Sequence, residues 1–155
     1  MLPTAGVNRV FGLLDLLKAY NGKVDAAHLM ADLRTDLDEF LPTIDTAEYL
    51  GFVDVKQGEI SLTDIGKKAS LARIPERKKL VHDKLEGLEP FSELVQLLKT
   101  QKRLGRFEVA RYLSTKFGYA TDLPTILNVI ISWGVFSGLF RYDGESESLK
   151  PRKAN

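Results

Sequence analysis

Apolar residues recur at steps of three and four along most of the chain, and this spacing predicts a mainly helical protein. The clearest change of pattern lies at 36–63, where one apolar stripe ends at Gly51, a residue type that readily closes a helix. The stripe consists of Leu37, Phe40, Leu41, Ile44, Ala47 and Leu50. After Gly51 the apolar residues alternate on both sides of 56–59, which predicts a β-hairpin that turns at these residues.

The flanking residues complete a small unit around this hairpin. The spacing predicts a first helix that ends at Gly22, a short extended link, and a second helix capped by Asp25. The third helix is predicted to begin near Asp38, which places Pro42 close to its first turn. Another helix is expected after Thr63. Helix, link, helix, turn, helix and hairpin is the order of a winged helix-turn-helix unit.

Short matches at spacings of 82 or 83 residues indicate that the second half repeats the first. One match reads glycine, base, apolar, acid, any residue, alanine; another is Leu-Pro-Thr-Ile; the third is a helix-ending glycine. The matched positions are 22–27 with 105–110, 41–44 with 123–126, and Gly51 with Gly134. We therefore predict tandem winged helix-turn-helix units with short hairpin wings, in the mainly α (α+β) class.

The predicted domains are 1–72 and 73–155, the second beginning with a basic linking helix that Pro75 opens. Its further helices are expected at 90–101, at 108–117 and from residue 122 onward, with a link at 105–107. The second wing is expected at 140–150, with Asp143-Gly144 as its turn.

Composition narrows the functional classes. The 155 residues are 44% hydrophobic and 28% charged, and 22 basic against 21 acidic residues give a net charge of +1. A net charge so close to zero produces no general electrostatic field that would attract nucleic acid or anionic membranes. The chain contains no cysteine, no apolar run long enough to span a bilayer, and no signal-peptide pattern in MLPTAG. We expect a cytoplasmic protein, or one held at the membrane through a transporter complex.

The side chains of the helix that would enter a DNA groove do not favour specific DNA binding. Groove recognition needs Lys or Arg for phosphates and Arg, Lys, Asn or Gln for base edges. The first candidate, 38–50, carries four carboxylates and no base, and the second, 122–139, offers only Asn128 and Ser132. Basic residues cluster elsewhere, where solvated helix faces are the simpler interpretation. These clusters are Arg73, Arg77, Lys78, Lys79 and Lys84; Lys99, Lys102, Arg103 and Arg106; and Lys150, Arg152 and Lys153.

Patterns for catalysis are missing from the sequence. There is no phosphate-binding G-x-x-x-x-G-K-[ST] loop and no G-x-S-x-G nucleophile motif. His28 and His82 are far apart and fit no H-x-x-x-H spacing, so no metal site is predicted. We expect no enzyme, no catalytic residue, no cofactor and no identified small-molecule ligand.

The segment 123–140 is apolar on every side if it is helical, so both sides must be covered. One side is expected to pack on its own unit and the other on the opposite unit or on a second copy of the chain. Large aromatic residues dominate such contacts. The candidate partner-binding residues are Trp133, Phe136, Phe140 and Tyr142.

Several motifs resemble a known family. They are LGFVDV at 50–55, GEISLT at 58–63, ERK at 76–78, ISWG at 131–134 and LFRYD at 139–143. Together they resemble the AAA-associated C-terminal domain that follows the ATP-binding subunit of nitrate, sulfonate, taurine and bicarbonate ABC importers. The resemblance covers nearly the whole chain, and its motifs are structural.

The resemblance implies a non-catalytic regulatory or protein-interaction module beside an ABC transporter ATPase. Its partner is then that ATPase or a second copy of the chain. The alternative is a winged-helix transcription regulator that binds DNA through its basic patches and wings.

Overall fold

The computed structural model describes residues 2–118 and 122–153. Over these residues the chain is mainly helical, with two small antiparallel sheets. The first elements are α1 (Val7–Ala19), β1 (Lys23–Asp25), α2 (Ala26–Leu33), α3 (Leu37–Tyr49), β2 (Val53–Lys56), β3 (Glu59–Leu62), α4 (Asp64–Leu71) and α5 (Ile74–Leu85). The others are α6 (Phe91–Gln101), β4 (Leu104–Gly105), α7 (Arg106–Phe117), α8 (Leu123–Phe136), β5 (Phe140–Asp143) and β6 (Ser148–Pro151).

The chain forms two compact units that divide within α5. One unit is Pro3–Arg77, and the other begins at Lys78 and also includes Leu2. This division lies slightly beyond the boundary that the sequence places after residue 72. None of the helices in the described ranges combines the length and apolar character that crossing a bilayer requires.

Local interactions in the first unit match the predicted helix starts and turn. The Asp25 carboxylate accepts a hydrogen bond from the His28 amide at 3.3 Å, and the Thr63 hydroxyl accepts one from the Gly66 amide at 3.0 Å. Gln57 and Gly58 join β2 to β3 with φ angles of 51° and 82°, as a two-residue hairpin turn requires. The sheet order is β1-β3-β2. The cap at Asp25, the helix start at Thr63 and the first hairpin are therefore confirmed.

The second unit also forms a three-stranded sheet, in the order β4-β6-β5. Its hairpin differs from the prediction, because Asp143 is the last residue of β5 and the connection is 144–147. The Asp143 carboxylate accepts a hydrogen bond from the Glu145 amide at 3.0 Å, which holds the start of this longer loop. The Asp143-Gly144 dipeptide therefore begins the connection without being the whole turn.

Helix, strand, helix, helix and hairpin follow one another in both units, but the residues matched by sequence do not occupy equivalent positions. Gly51 ends α3 with a φ of 78°, whereas Gly134 lies inside α8. The equivalent of Gly51 is Gly138, with a φ of 73°, and the next residue's amide bonds back to the Gly134 carbonyl. Similarly, Gly105 lies in β4 while Gly22 precedes β1.

The predicted start of α3 near Asp38 is confirmed, but the position of Pro42 and the end of α8 differ from the predictions. Helix α3 begins at Leu37, so Pro42 is its sixth residue and lies in the second turn, where its missing N–H leaves one helical hydrogen bond unmade. Helix α8 ends at Phe136, so Leu139 and Phe140 belong to the turn and to β5. The apolar segment 123–140 is thus a helix followed by a strand, and the two present their side chains to the core in different ways.

Candidate partner-binding site

The exposed residues of α3 include two leucines and three carboxylates. Leu37 and Leu41 are 46% and 41% exposed and lie one helical turn apart. Asp38, Glu39 and Glu48 are exposed on the same helix, which contains no Lys or Arg. We call these five residues the α3 surface. The buried side of the helix consists of Thr43, Ile44, Thr46 and Ala47.

The exposure of the two leucines corrects the apolar stripe that the sequence predicts. Ile44, Ala47 and Leu50 of that stripe are buried, and Phe40 is half-buried. The stripe predicts the buried side correctly for the C-terminal part of α3. At the N-terminal end of the helix its leucines remain exposed, because the core does not extend as far as the first turn. Helical spacing shows which residues share a side of a helix, and it does not show how far along the helix the core extends.

A groove of about 510 Å³ lies beside the α3 surface, with residues of α1 and α3 as its walls. Leu13 is buried in this groove, and Leu16 and Phe40 are half-buried. Gly12 lines the groove, and a Cβ atom added there would meet nothing within 4 Å. Arg9 and Glu39 also line it. The groove therefore has apolar residues in its lining beside the α3 surface.

Two of the four aromatic candidates are core residues. Trp133 is fully buried and Phe140 is 1% exposed. The Phe140 ring lies so close to Gly134 that a Cβ atom there would overlap it. Direct contact with a partner is not open to these two side chains in the folded chain.

Phe136 and Tyr142 are half-buried and remain candidates for partner contact. The Phe136 ring meets Trp133 edge to face, with centroids 6.3 Å apart. The ammonium of Lys78 lies 5.8 Å from the Phe136 centroid, within cation–π range. Phe136 therefore joins the buried aromatic residue to a charged surface residue.

Several of the clustered basic residues have structural partners. Arg106 donates to the Asn128 amide oxygen at 2.5 Å, and Lys150 lies 3.1 Å from the Asp143 carboxylate. Arg77 donates from Nε and Nη2 to the carbonyls of Ala69 and Ser70. For Arg77 the expectation of a solvated helix face is wrong, because its side chain is only 16% exposed.

The second unit contains a polar network between α6 and α7. Glu93 accepts hydrogen bonds from the Tyr112 hydroxyl at 2.5 Å and from the Lys116 ammonium at 2.8 Å. Lys116, followed by Tyr112, lowers the pKa of Glu93 to about 2, while burial and then Glu93 raise the pKa of Tyr112. Glu93 and Tyr112 also line a groove of about 710 Å³. The network joins the two helices, and at neutral pH Glu93 and Lys116 are charged while Tyr112 is neutral.

The family of the chain follows from comparison with family models. The model of the C-terminal AAA-associated domain matches residues 27–143, which is well over half of the chain. The chain therefore belongs to this family, as its motifs predict, and the family name indicates an association with an ATPase system. Comparisons with curated proteins and with solved structures gave no match.

Proposed function

We propose that the chain is a non-catalytic regulatory and protein-interaction module that binds an ABC-type ATPase through the α3 surface. Each unit is proposed to be a winged helix whose third helix has lost the charge needed to contact DNA. The family membership supports the ATPase context. The observation that carries the proposal is the exposure of Leu37 and Leu41 among carboxylates on α3.

Helix stability explains only part of this acidic pattern. Asp38 and Glu39 lie in the first turn, where the helix dipole favours negative charge. Glu48 lies in the last turn, where the dipole disfavours it, and no basic residue is present there to compensate. Both leucines keep more than 40% of their surface exposed. The pattern suits a partner surface that places cations around an apolar patch, and it opposes contact with phosphates.

The experiment is a calorimetric titration of the chain into the ATP-binding subunit of a nitrate- or sulfonate-class ABC importer from the same genome. ATP hydrolysis is followed in parallel, with and without the chain. The proposal predicts saturable binding and a change in the hydrolysis rate. The chain alone should hydrolyse no ATP.

A DNA titration tests the alternative function, a transcription regulator. The same preparation is mixed with genomic DNA fragments at low and at physiological salt and analysed by gel shift. Weak, salt-sensitive retention is the result we expect, since contact through scattered Lys and Arg side chains is screened. A tight sequence-specific complex, with no binding to the ATPase, would establish the transcription-regulator alternative.

A further inference from the structure

The imidazole of His82 is held by both of its nitrogen atoms. Its Nδ1 lies 2.9 Å from the carbonyl oxygen of Ser137, at the C-terminal end of α8. A carbonyl oxygen only accepts hydrogen bonds, so Nδ1 carries a proton. The other nitrogen, Nε2, faces the Glu86 carboxylate at 3.5 Å, and the His82 side chain is 21% exposed.

This arrangement suits a cation between Nε2 and Glu86, because the Nε2 lone pair of a neutral ring would otherwise face the lone pairs of the carboxylate. The separation of 3.5 Å is longer than the roughly 2.7 to 3.2 Å of an ordinary N–H···O bond, and nitrogen and oxygen ligands of a tetrahedral Zn²⁺ lie roughly 3.3 to 3.4 Å apart. His28 and Asp32 are separated by a similar distance, so the third ligand distinguishes the site at His82.

A third ligand is available on the same helix. One ligand atom from each of His82, Asp83 and Glu86 lies within 4.8 Å of the others. We propose that these three residues bind a divalent transition-metal ion of the Zn²⁺ type. The hydrogen bond from Nδ1 to a backbone carbonyl is the outer contact that orients metal-binding histidines and directs the Nε2 lone pair to the ion.

The site leaves one coordination position open and is reachable from solvent. His82 and Glu86 both line the groove of about 710 Å³, and Asp83 is exposed. Lys79 lies 3.7 Å from the Asp83 carboxylate, but both side chains are more than half exposed, so this ion pair competes weakly. The ion is therefore exchangeable. The H-x-x-x-H pattern misses this site because its partners are carboxylates one and four residues after His82.

The chain offers a matched control on α2. His28 and Asp32 form the same pair four residues apart, with Nε2 3.3 Å from the carboxylate. Asp32 also accepts a hydrogen bond from the Tyr20 hydroxyl, and the pair has no third carboxylate among the metal-ligand clusters found in the described residues. A histidine and a carboxylate at this spacing are thus present with and without the third ligand.

The test titrates Zn²⁺ by calorimetry and Co²⁺ by visible absorption into tag-free, EDTA-treated protein. We expect one saturable equivalent and intense Co²⁺ absorption bands, which a tetrahedral site produces. Glu86→Gln and Asp83→Asn should each weaken Zn²⁺ binding by about tenfold or more. Both side chains are exposed, so thermal unfolding should remain close to that of the parent chain.

The control variants distinguish a specific site at His82, Asp83 and Glu86 from general metal binding to surface histidines. His28→Gln and Asp32→Asn should leave the affinity and stoichiometry unchanged. Three results would overturn the proposal: no saturable Zn²⁺ binding, loss of binding in His28→Gln, or unchanged binding in folded Glu86→Gln. In the last case His82 and Glu86 are a surface pair without a metal ion.

Discussion

The guanidinium of Arg77 stacks on the ring of Phe11, with its central carbon 4.6 Å from the ring centroid. The same guanidinium donates to the carbonyl oxygens of Ala69 at 3.1 Å and Ser70 at 3.3 Å, at the end of α4. The Ala69 carbonyl also accepts a hydrogen bond from the Ala72 amide at 3.3 Å, and the planar cation adds its hydrogen bonds at this helix end while covering an aromatic residue of α1. One residue of the ERK motif thereby joins three helices of the first unit.

Arg77→Ala should therefore lower the free energy of unfolding by about 2 kcal/mol, and Arg77→Lys by about 1 kcal/mol. Lysine keeps the positive charge, but it has no planar guanidinium to stack on Phe11 and no fixed pair of donor nitrogens for the two carbonyls. Urea denaturation followed by circular dichroism measures both. Lys79→Ala is the control, because this side chain is 78% exposed and its loss should change the value by less than about 0.5 kcal/mol. Equal effects at Arg77 and Lys79 would contradict this account.

Two glycines within helices should respond in opposite ways to alanine. Gly12 is exposed in α1, and an added Cβ meets nothing within 4 Å, so Gly12→Ala should stabilise the chain by about 0.5 to 1 kcal/mol. At Gly134 the new Cβ would overlap the buried Phe140 ring, so Gly134→Ala should destabilise it by about 1 to 3 kcal/mol. Thermal unfolding of the pair tests this, and a stabilising Gly134→Ala would disprove the close packing.

Trp133 is a core residue, so its loss should affect folding. Trp133→Ala removes a fully buried indole and should cost about 3 to 5 kcal/mol of unfolding free energy. Sedimentation at matched concentrations should give the same oligomeric state for the parent and for the variant where it remains folded. Conversion of a dimer into a monomer of unchanged stability would instead assign Trp133 to an interface.

The Glu93 network predicts a specific dependence of stability on pH. Lys116 and then Tyr112 lower the pKa of Glu93 from 4.5 to about 2, so the folded state favours the charged carboxylate. This contribution is fully present above about pH 4.5 and is lost as the pH falls towards 2. As the pH falls through this range, the melting temperature should decrease more steeply for the parent chain than for Glu93→Gln. Lys116→Gln should flatten the same part of the curve, and identical slopes in all three proteins would exclude the network as the cause.

Local signals made much of the first unit predictable. Asp25 and Thr63 cap helices, and Gln57-Gly58 turns a hairpin, because each depends on side chains or φ angles within a few residues. The family was also recognisable from its motifs, since these include the hairpin and the aromatic residues of the core.

Longer-range packing could not be predicted in the same way. Glycine often ends a helix, yet α8 continues through Gly134. The missing side chain at this position leaves the space that the Phe140 ring occupies. Leu37 and Leu41 continue the buried stripe in sequence, but they are 46% and 41% exposed in the structure. Arg77 belongs to a basic run, and only the fold brings Phe11 to its guanidinium. Each of these features depends on a residue or a space that is distant in sequence.

The proposed function depends most directly on the α3 surface. The decisive measurement compares the affinity of the ATP-binding subunit for Leu41→Lys and for Leu71→Lys by calorimetry. Both leucines are exposed on helices of the first unit, at 41% and 71%, and only Leu41 belongs to the α3 surface. If the partner covers α3, Leu41→Lys should weaken binding by about tenfold or more while Leu71→Lys leaves it nearly unchanged. Equal affinities for both variants and the parent chain would show that the ATPase does not dock on α3.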